Sequence, residues 1–110
     1  MPALLPKPLP GEVWSVDFGY RGKVRSAVVV SVPQPEGRVA VITVVLVTTQ
    51  FGSTPFEVTL PRVPWLREQS YCNAQSVQPV ERHEFLRKMG QFNAQVLKDI
   101  RSTLQKWLGT

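Results

Sequence analysis

Val39-Ala40-Val41-Ile42-Thr43-Val44-Val45-Leu46-Val47 is an unbroken apolar run, relieved only by Thr43 and dominated by β-branched side chains, and Thr48-Thr49-Gln50 follows it. Branching at Cβ crowds a helix and suits a pleated strand, and a run without polar alternation buries both faces. The segment therefore reads as a strand at the centre of a small sheet.

The neighbouring segments fit around it. Arg25 to Val32 is a second dense apolar run, separated from the first by the turn signal Pro33-Gln34-Pro35-Glu36-Gly37. Upstream, Glu12 to Phe18 alternates Val13, Ser15, Asp17 against Trp14, Val16, Phe18, the two-residue period of a half-buried strand, and Gly19 to Lys23 turns the chain. Downstream, Gly52-Ser53-Thr54-Pro55 ends the central run before Phe56 to Leu60 resumes the alternation. Pro61 and Pro64 forbid a continuing strand, and Trp65 and Leu66 are placed to cap the sheet from that loop. Ser70 to Val77 reads as a fifth strand, ended by Pro79.

The period then changes. Val80 to Gly90 predicts a short helix, with acids early, bases late and Gly90 as its stop. A second helix carries Phe92, Val96, Leu97, Ile100, Leu104, Trp107 and Leu108 on one face, with Lys98, Asp99, Arg101, Gln105 and Lys106 largely opposite. The chain is thus expected to be mainly β with C-terminal helices: a small antiparallel barrel of about five or more strands, covered by a long amphipathic helix.

Met1 to Pro10 holds four prolines and lacks the apolar core of a signal peptide. Residues 1–10 read as a proline-rich arm and residues 11–110 as a single domain. No stretch approaches the roughly 18 apolar residues of a membrane span, so no membrane partner and a cytoplasmic location are expected. Thirteen Lys and Arg against eight Asp and Glu give a net charge of +5, which favours an acidic or polyanionic partner. The single cysteine, Cys72, excludes an internal disulfide and reads as a small buried side chain.

Arg25 opens the second strand and Thr48 closes the third, so antiparallel pairing brings both to one rim of the sheet. There a guanidinium could grip two phosphate oxygens while a hydroxyl donates to one of them. Taken alone, Arg25 reads first as an edge charge that blocks aggregation, and Thr48 as a β-former filling a strand end. Arg21 and Lys23 are natural phosphate binders, and Thr49, Gln50, Phe51 and Gln75 lie where an RNA base could be stacked or read at its edge.

The order Gly11-Glu12-Val13-Trp14, Arg25 before an apolar run, Val47-Thr48-Thr49-Gln50, Ser70-Tyr71-Cys72-Asn73-Ala74-Gln75 and a closing amphipathic helix resembles the MazF/PemK toxins. The resemblance spans about Gly11 to Leu108. It implies an SH3-like or CcdB-like barrel and a type II toxin–antitoxin toxin that cuts single-stranded RNA, such as mRNA, at short preferred sequences. Neither metal nor cofactor is implied. The reaction would pass through a 2′,3′-cyclic phosphate and leave a free 5′-hydroxyl, with Arg25 and Thr48 matching the family's principal catalytic pair. A homodimer and a cognate antitoxin with an acidic tail are implied as well.

The chain also departs from that pattern. Ser26 stands where most relatives have Pro, the loop from Gly19 to Val24 is short and basic where many carry a Glu, and Cys72-Asn73-Ala74-Gln75 lacks an Arg and Asp that some use as acid and base. Asp17, Glu12 and His83 remain as distant proton-transfer candidates. The missing acids leave open an attenuated member that binds RNA or a partner without cutting. The terminal Trp107-Leu108-Gly109-Thr110 leaves open a CcdB-like gyrase inhibitor, although Trp107 falls in phase with Ile100 and Leu104.

Overall fold

The computed structural model describes residues 6–19, 23–33 and 41–110. Among these residues seven strands, β1 (Glu12–Asp17), β2 (Val24–Val29), β3 (Val41–Thr48), β4 (Glu57–Thr59), β5 (Tyr71–Asn73), β6 (Gln78–Glu81) and β7 (Phe85–Gln91), precede a single α-helix, α1 (Ala94–Leu108). All recorded pairings are antiparallel, in the order β4-β5-β3-β2-β1-β7, with β6 also on β3. No pairing joins β4 to β7 among the described residues, so the sheet is open where a closed barrel was expected.

The apolar run does lie at the centre. β3 pairs with β2 along one edge, and its other edge is shared, Val41 to Val44 with β6 and Val47–Thr48 with β5. Where the shared edge passes from one strand to the other, the Leu46 N–H would lose its ladder partner. The Ser76 hydroxyl, on a single 3₁₀ turn (Ala74–Ser76), accepts from it at 2.9 Å. That turn also shortens the fifth strand to three residues.

Two cores form because side chains alternate across the sheet. Val13, Val28, Val45 and Cys72 pack with Ile100 under α1, while Val16, Ala27, Val29, Val44, Val80 and Phe85 pack on the other face. Trp65 and Leu66 cover the first core from their loop, and the Trp65 ring lies 5.0 Å from that of Phe92. Gly11 takes a positive φ of 88° that side chains disfavour, and its backbone then bonds both Val29 O and Phe92 N at 2.9 Å. One residue thus ties the sheet to the approach of the helix.

The short helix expected over Val80 to Gly90 is instead β6, a 3₁₀ turn (Arg82–Glu84) and β7. Tertiary pairing decides it: Val80 stands opposite Ile42 and Phe85 opposite Val16, which buries both in the second core. The early acids do cap a turn, since Glu81 and Glu84 make a reciprocal capping box, but it is a single one. Gly90 is needed for space and not as a helix stop, because a Cβ there would run into the Trp65 indole. There is accordingly one C-terminal helix. Its N-cap is Asn93, whose side chain accepts from Val96 N at 3.0 Å, and it ends on left-handed Gly109.

Three residues of that helix depart from its expected faces, Leu108 among them, since it is 58% exposed. Arg101 is not in solvent: its Nε and Nη2 both donate to Val30 O, at 3.0 and 2.8 Å. Trp107 is 40% exposed, not a core side chain, and meets Phe56 edge-on at 5.1 Å. The described part of the proline-rich arm is docked, with Pro8 buried and Pro6 O accepting from Arg82 Nε at 2.7 Å. The expected Pro33 to Gly37 turn, from position 34 on, lies outside the described residues.

Candidate active site

The β2–β3 ladder runs Val29–Val44, Val28–Val45, Ala27–Leu46 and records no further pair. The same count carried two residues on sets Arg25 opposite Thr48. Each is held from its far side instead: Arg25 stands opposite Val16 on β1, and Thr48 opposite Tyr71 on β5. Arg25 alternates with Ala27 and Val29, and Thr48 with Leu46 and Val44, so both belong to the face of the second core, at its rim. A group can therefore enter between the two side chains without breaking a ladder.

The chemistry of the two is complementary. Arg25 is exposed and makes no side-chain hydrogen bond among the described residues. Thr48 is half-buried, and its Oγ1 accepts from the Gln50 N–H at 3.1 Å. A hydroxyl that already accepts has its own proton free to donate, here toward an anion beside Arg25.

Lys23 continues the basic face. Its carbonyl accepts from Phe18 N at 3.2 Å, which sets it two residues before Arg25 on the same side of the chain. Thr49 and Gln50 are exposed in the turn beyond Thr48. Phe51 is 58% exposed, with its ring 5.2 Å from the Tyr71 ring at an angle of 41°. Gln75 is set back from this rim, on the 3₁₀ turn whose Ser76 bonds Leu46, and it is exposed. Arg21 lies outside the described residues.

The three distant candidates for proton transfer do not join the pair. Glu12 is four residues along β1 from Val16, roughly 13 Å at the rise of a strand. Its Oε1 accepts from Leu9 N at 2.8 Å and Trp14 Nε1 at 2.9 Å, and its Oε2 meets Lys88 Nζ at 3.0 Å. Burial pushes the carboxyl up in pKa, but these bonds and the lysine charge together outweigh it and hold the group below the usual glutamate value. Asp17 points to the face opposite Val16, and its Oδ1 accepts from Gly19 N at 2.8 Å. His83 pairs with Glu81 at 3.2 Å beside a 350 Å³ cavity that Val41 also lines, at the opposite end of β3 from Thr48.

Two further residues escaped sequence reasoning, Tyr71 beside the pair and Glu57 under the loop that follows Phe51. Tyr71 is the register neighbour of Thr48, and the signal for it was present: with Cys72 turned inward, Tyr71 must take the other face. Glu57 could not have been found, because its role depends on loop geometry. Its carboxylate accepts from Thr54 N at 2.9 Å and Gly52 N at 2.7 Å, and these bonds hold its pKa below the usual value.

Residues 9–108 match a family described as PemK-like, MazF-like toxins of type II toxin–antitoxin systems. No curated protein sequence matches the chain. Among solved structures, an endoribonuclease bound to its cognate antitoxin, from a mycobacterial species, superposes with a TM-score of 0.79 at 24% identity, covering 93% of this chain and 95% of that one. MazF from Deinococcus radiodurans gives 0.79 at 24% identity over 98% and 100% of the two chains. The Mycobacterium tuberculosis toxin MazF-mt6 gives 0.73 at 16% identity, over 89% and 96%. At these identities the superpositions establish a shared fold.

Proposed function

The chain belongs to the PemK-like, MazF-like toxins of type II toxin–antitoxin systems, and from that membership we propose that it is a cytoplasmic endoribonuclease. It cuts single-stranded RNA without a metal ion, at an active site built on Arg25 and Thr48. The observation that carries the reading is the end of the β2–β3 ladder, where a permanent cation and a hydroxyl with a free proton face one gap from separate strand pairs.

In the reaction the 2′-oxygen attacks phosphorus, the bond from phosphorus to the 5′-oxygen breaks, and the proton lost from the 2′-hydroxyl is balanced by one gained at the 5′-oxygen. The products are a 2′,3′-cyclic phosphate and a free 5′-hydroxyl. Arg25 neutralises the charge that builds on the non-bridging oxygens, and the Thr48 hydroxyl donates to one of them. Fixed donors of this kind contribute most of the rate when no strong acid or base is at hand, each worth roughly 10²- to 10³-fold. Lys23 and Arg21 extend the phosphate track, Thr49, Gln50 and Phe51 contact bases at the rim, and Gln75, set back from it, meets a base farther along the RNA strand.

Residues 11–110 form the single domain, read as an SH3-like small barrel in an open form, and residues 1–10 are its arm. It acts as a homodimer, and a cognate antitoxin silences it by laying an acidic segment over the basic rim. Relatives captured with their antitoxins support that partner.

Purified protein incubated with a long single-stranded RNA in EDTA tests the proposal. Discrete fragments ending in 2′,3′-cyclic phosphate and 5′-hydroxyl are expected. Intact but retarded RNA would instead establish the attenuated, binding-only member that the missing acids leave open.

A further inference from the structure

Beyond the phosphate clamp, the rim carries an aromatic pair with one ring largely in solvent. Phe51 exposes more than half its surface and leans on Tyr71, which is itself seated beside Thr48 by the β3–β5 register. The segment that follows Phe51 is held firmly. Glu57, at the start of β4, takes hydrogen bonds from Gly52 N and Thr54 N, on either side of Ser53. Ser53 has a φ of 56°, the one positive φ outside glycine among the described residues. Thr54 Oγ1 then accepts from Phe56 N at 3.2 Å. A non-glycine residue stays left-handed only where its surroundings over-determine it, and such strain collects at functional loops. Here the carboxylate holds the backbone on both sides of Ser53, directly after the exposed Phe51 ring.

We propose that Phe51 and Tyr71 form a nucleobase-stacking subsite next to the phosphate held by Arg25 and Thr48, and that Glu57 is its positioning residue. This rests on the ribonuclease reading. Aromatic faces accept any base, because every base has a π-face, so the subsite anchors the nucleotide flanking the cut and leaves sequence choice to polar neighbours such as Gln50. The stacked base and the clamped phosphate belong to one nucleotide or to adjacent ones, since Tyr71 and Thr48 are direct neighbours across two strands. Glu57 touches no RNA; it acts through the loop that carries Phe51.

The test uses a short single-stranded RNA spanning a mapped cut site. Phe51→Ala should raise KM about tenfold or more, in line with the worth of one stacked base, with little change in kcat. Phe51→Trp should restore KM. Glu57→Gln should raise KM several-fold alone but add little to Phe51→Ala, because both act on one ring. In a 2′-O-methyl copy with 2-aminopurine moved base by base, fluorescence should be quenched at one position beside the cut, and Phe51→Ala should abolish it.

A wild-type chain that cuts, with KM and quenching unchanged in Phe51→Ala, overturns the subsite and leaves the nuclease standing. A variant impaired only in capture of a protein partner overturns it as well. A wild-type chain that neither cuts nor binds RNA removes both. Phe51 is too exposed for its truncation to unfold the chain.

Discussion

A guanidinium works by charge and position alone, since it does not lose its proton at any pH where the fold survives. Arg25 therefore cannot be the base, and Glu12, the buried acid of β1, is otherwise employed. Its carboxylate gathers Leu9 N, Trp14 Nε1 and Lys88 Nζ, fastening the chain before β1 to β7. Because its folded pKa lies below the reference value of 4.5, its contribution is complete above that pH and drains away as the pH falls through the folded value. Glu12→Gln should cost on the order of 1–3 kcal/mol at pH 7 and flatten the loss of stability as the pH falls below 4.5. Urea midpoints measured across that range check both effects, and an unchanged slope would dismiss Glu12 as the acid-labile fastening. That Arg25 and Thr48 stand at one rim was legible in the sequence, because Arg25 opens one dense apolar run and Thr48 closes the next. The role of Glu57 was not, since a carboxylate that folds a loop leaves no periodic trace.

The elements most visible in the sequence were those with undiluted β-branched runs, β2 and β3, and the amphipathic α1. The stretch from Val80 to Gly90 was misread because its charges are distributed as a helix likes them, while the pairing that makes it a strand is contributed by β1 and β3. Among the described residues β7 pairs with β1 alone, and it carries Arg87 and Lys88, charges that discourage another chain from adding to its other edge. Gly90 is the element's tightest constraint. Gly90→Ala should destabilise the protein by about 1–3 kcal/mol, the usual cost of overpacking, by driving Trp65 off the first core. Adding Trp65→Leu should recover part of that loss. If Gly90→Ala leaves the urea midpoint in place, the close approach of β7 to the Trp65 loop is wrong.

At the scale of the molecule, the candidate site exists only when both halves of the sheet are assembled. Arg25 is presented by the β1–β2 pair, braced by β7, and Thr48 by the β3–β5 pair, braced by β4. The central run, with a core on each face, joins the halves. Sequence spacing indicated that the two residues share a rim; that the β2–β3 ladder stops short of them while β1 and β5 hold them from their far sides follows from pairings that no local pattern encodes. The central claim is that both side chains hold one phosphate as bonds to it change. Single-turnover cleavage of a saturating RNA by wild type, Arg25→Ala, Thr48→Val and the double variant measures this directly. The account predicts a loss of roughly 10²-fold or more for each single variant, with the double variant hardly slower than the worse single one. Full losses that multiply would mean two separate sites of action, and undiminished cleavage by either single variant would contradict the account outright.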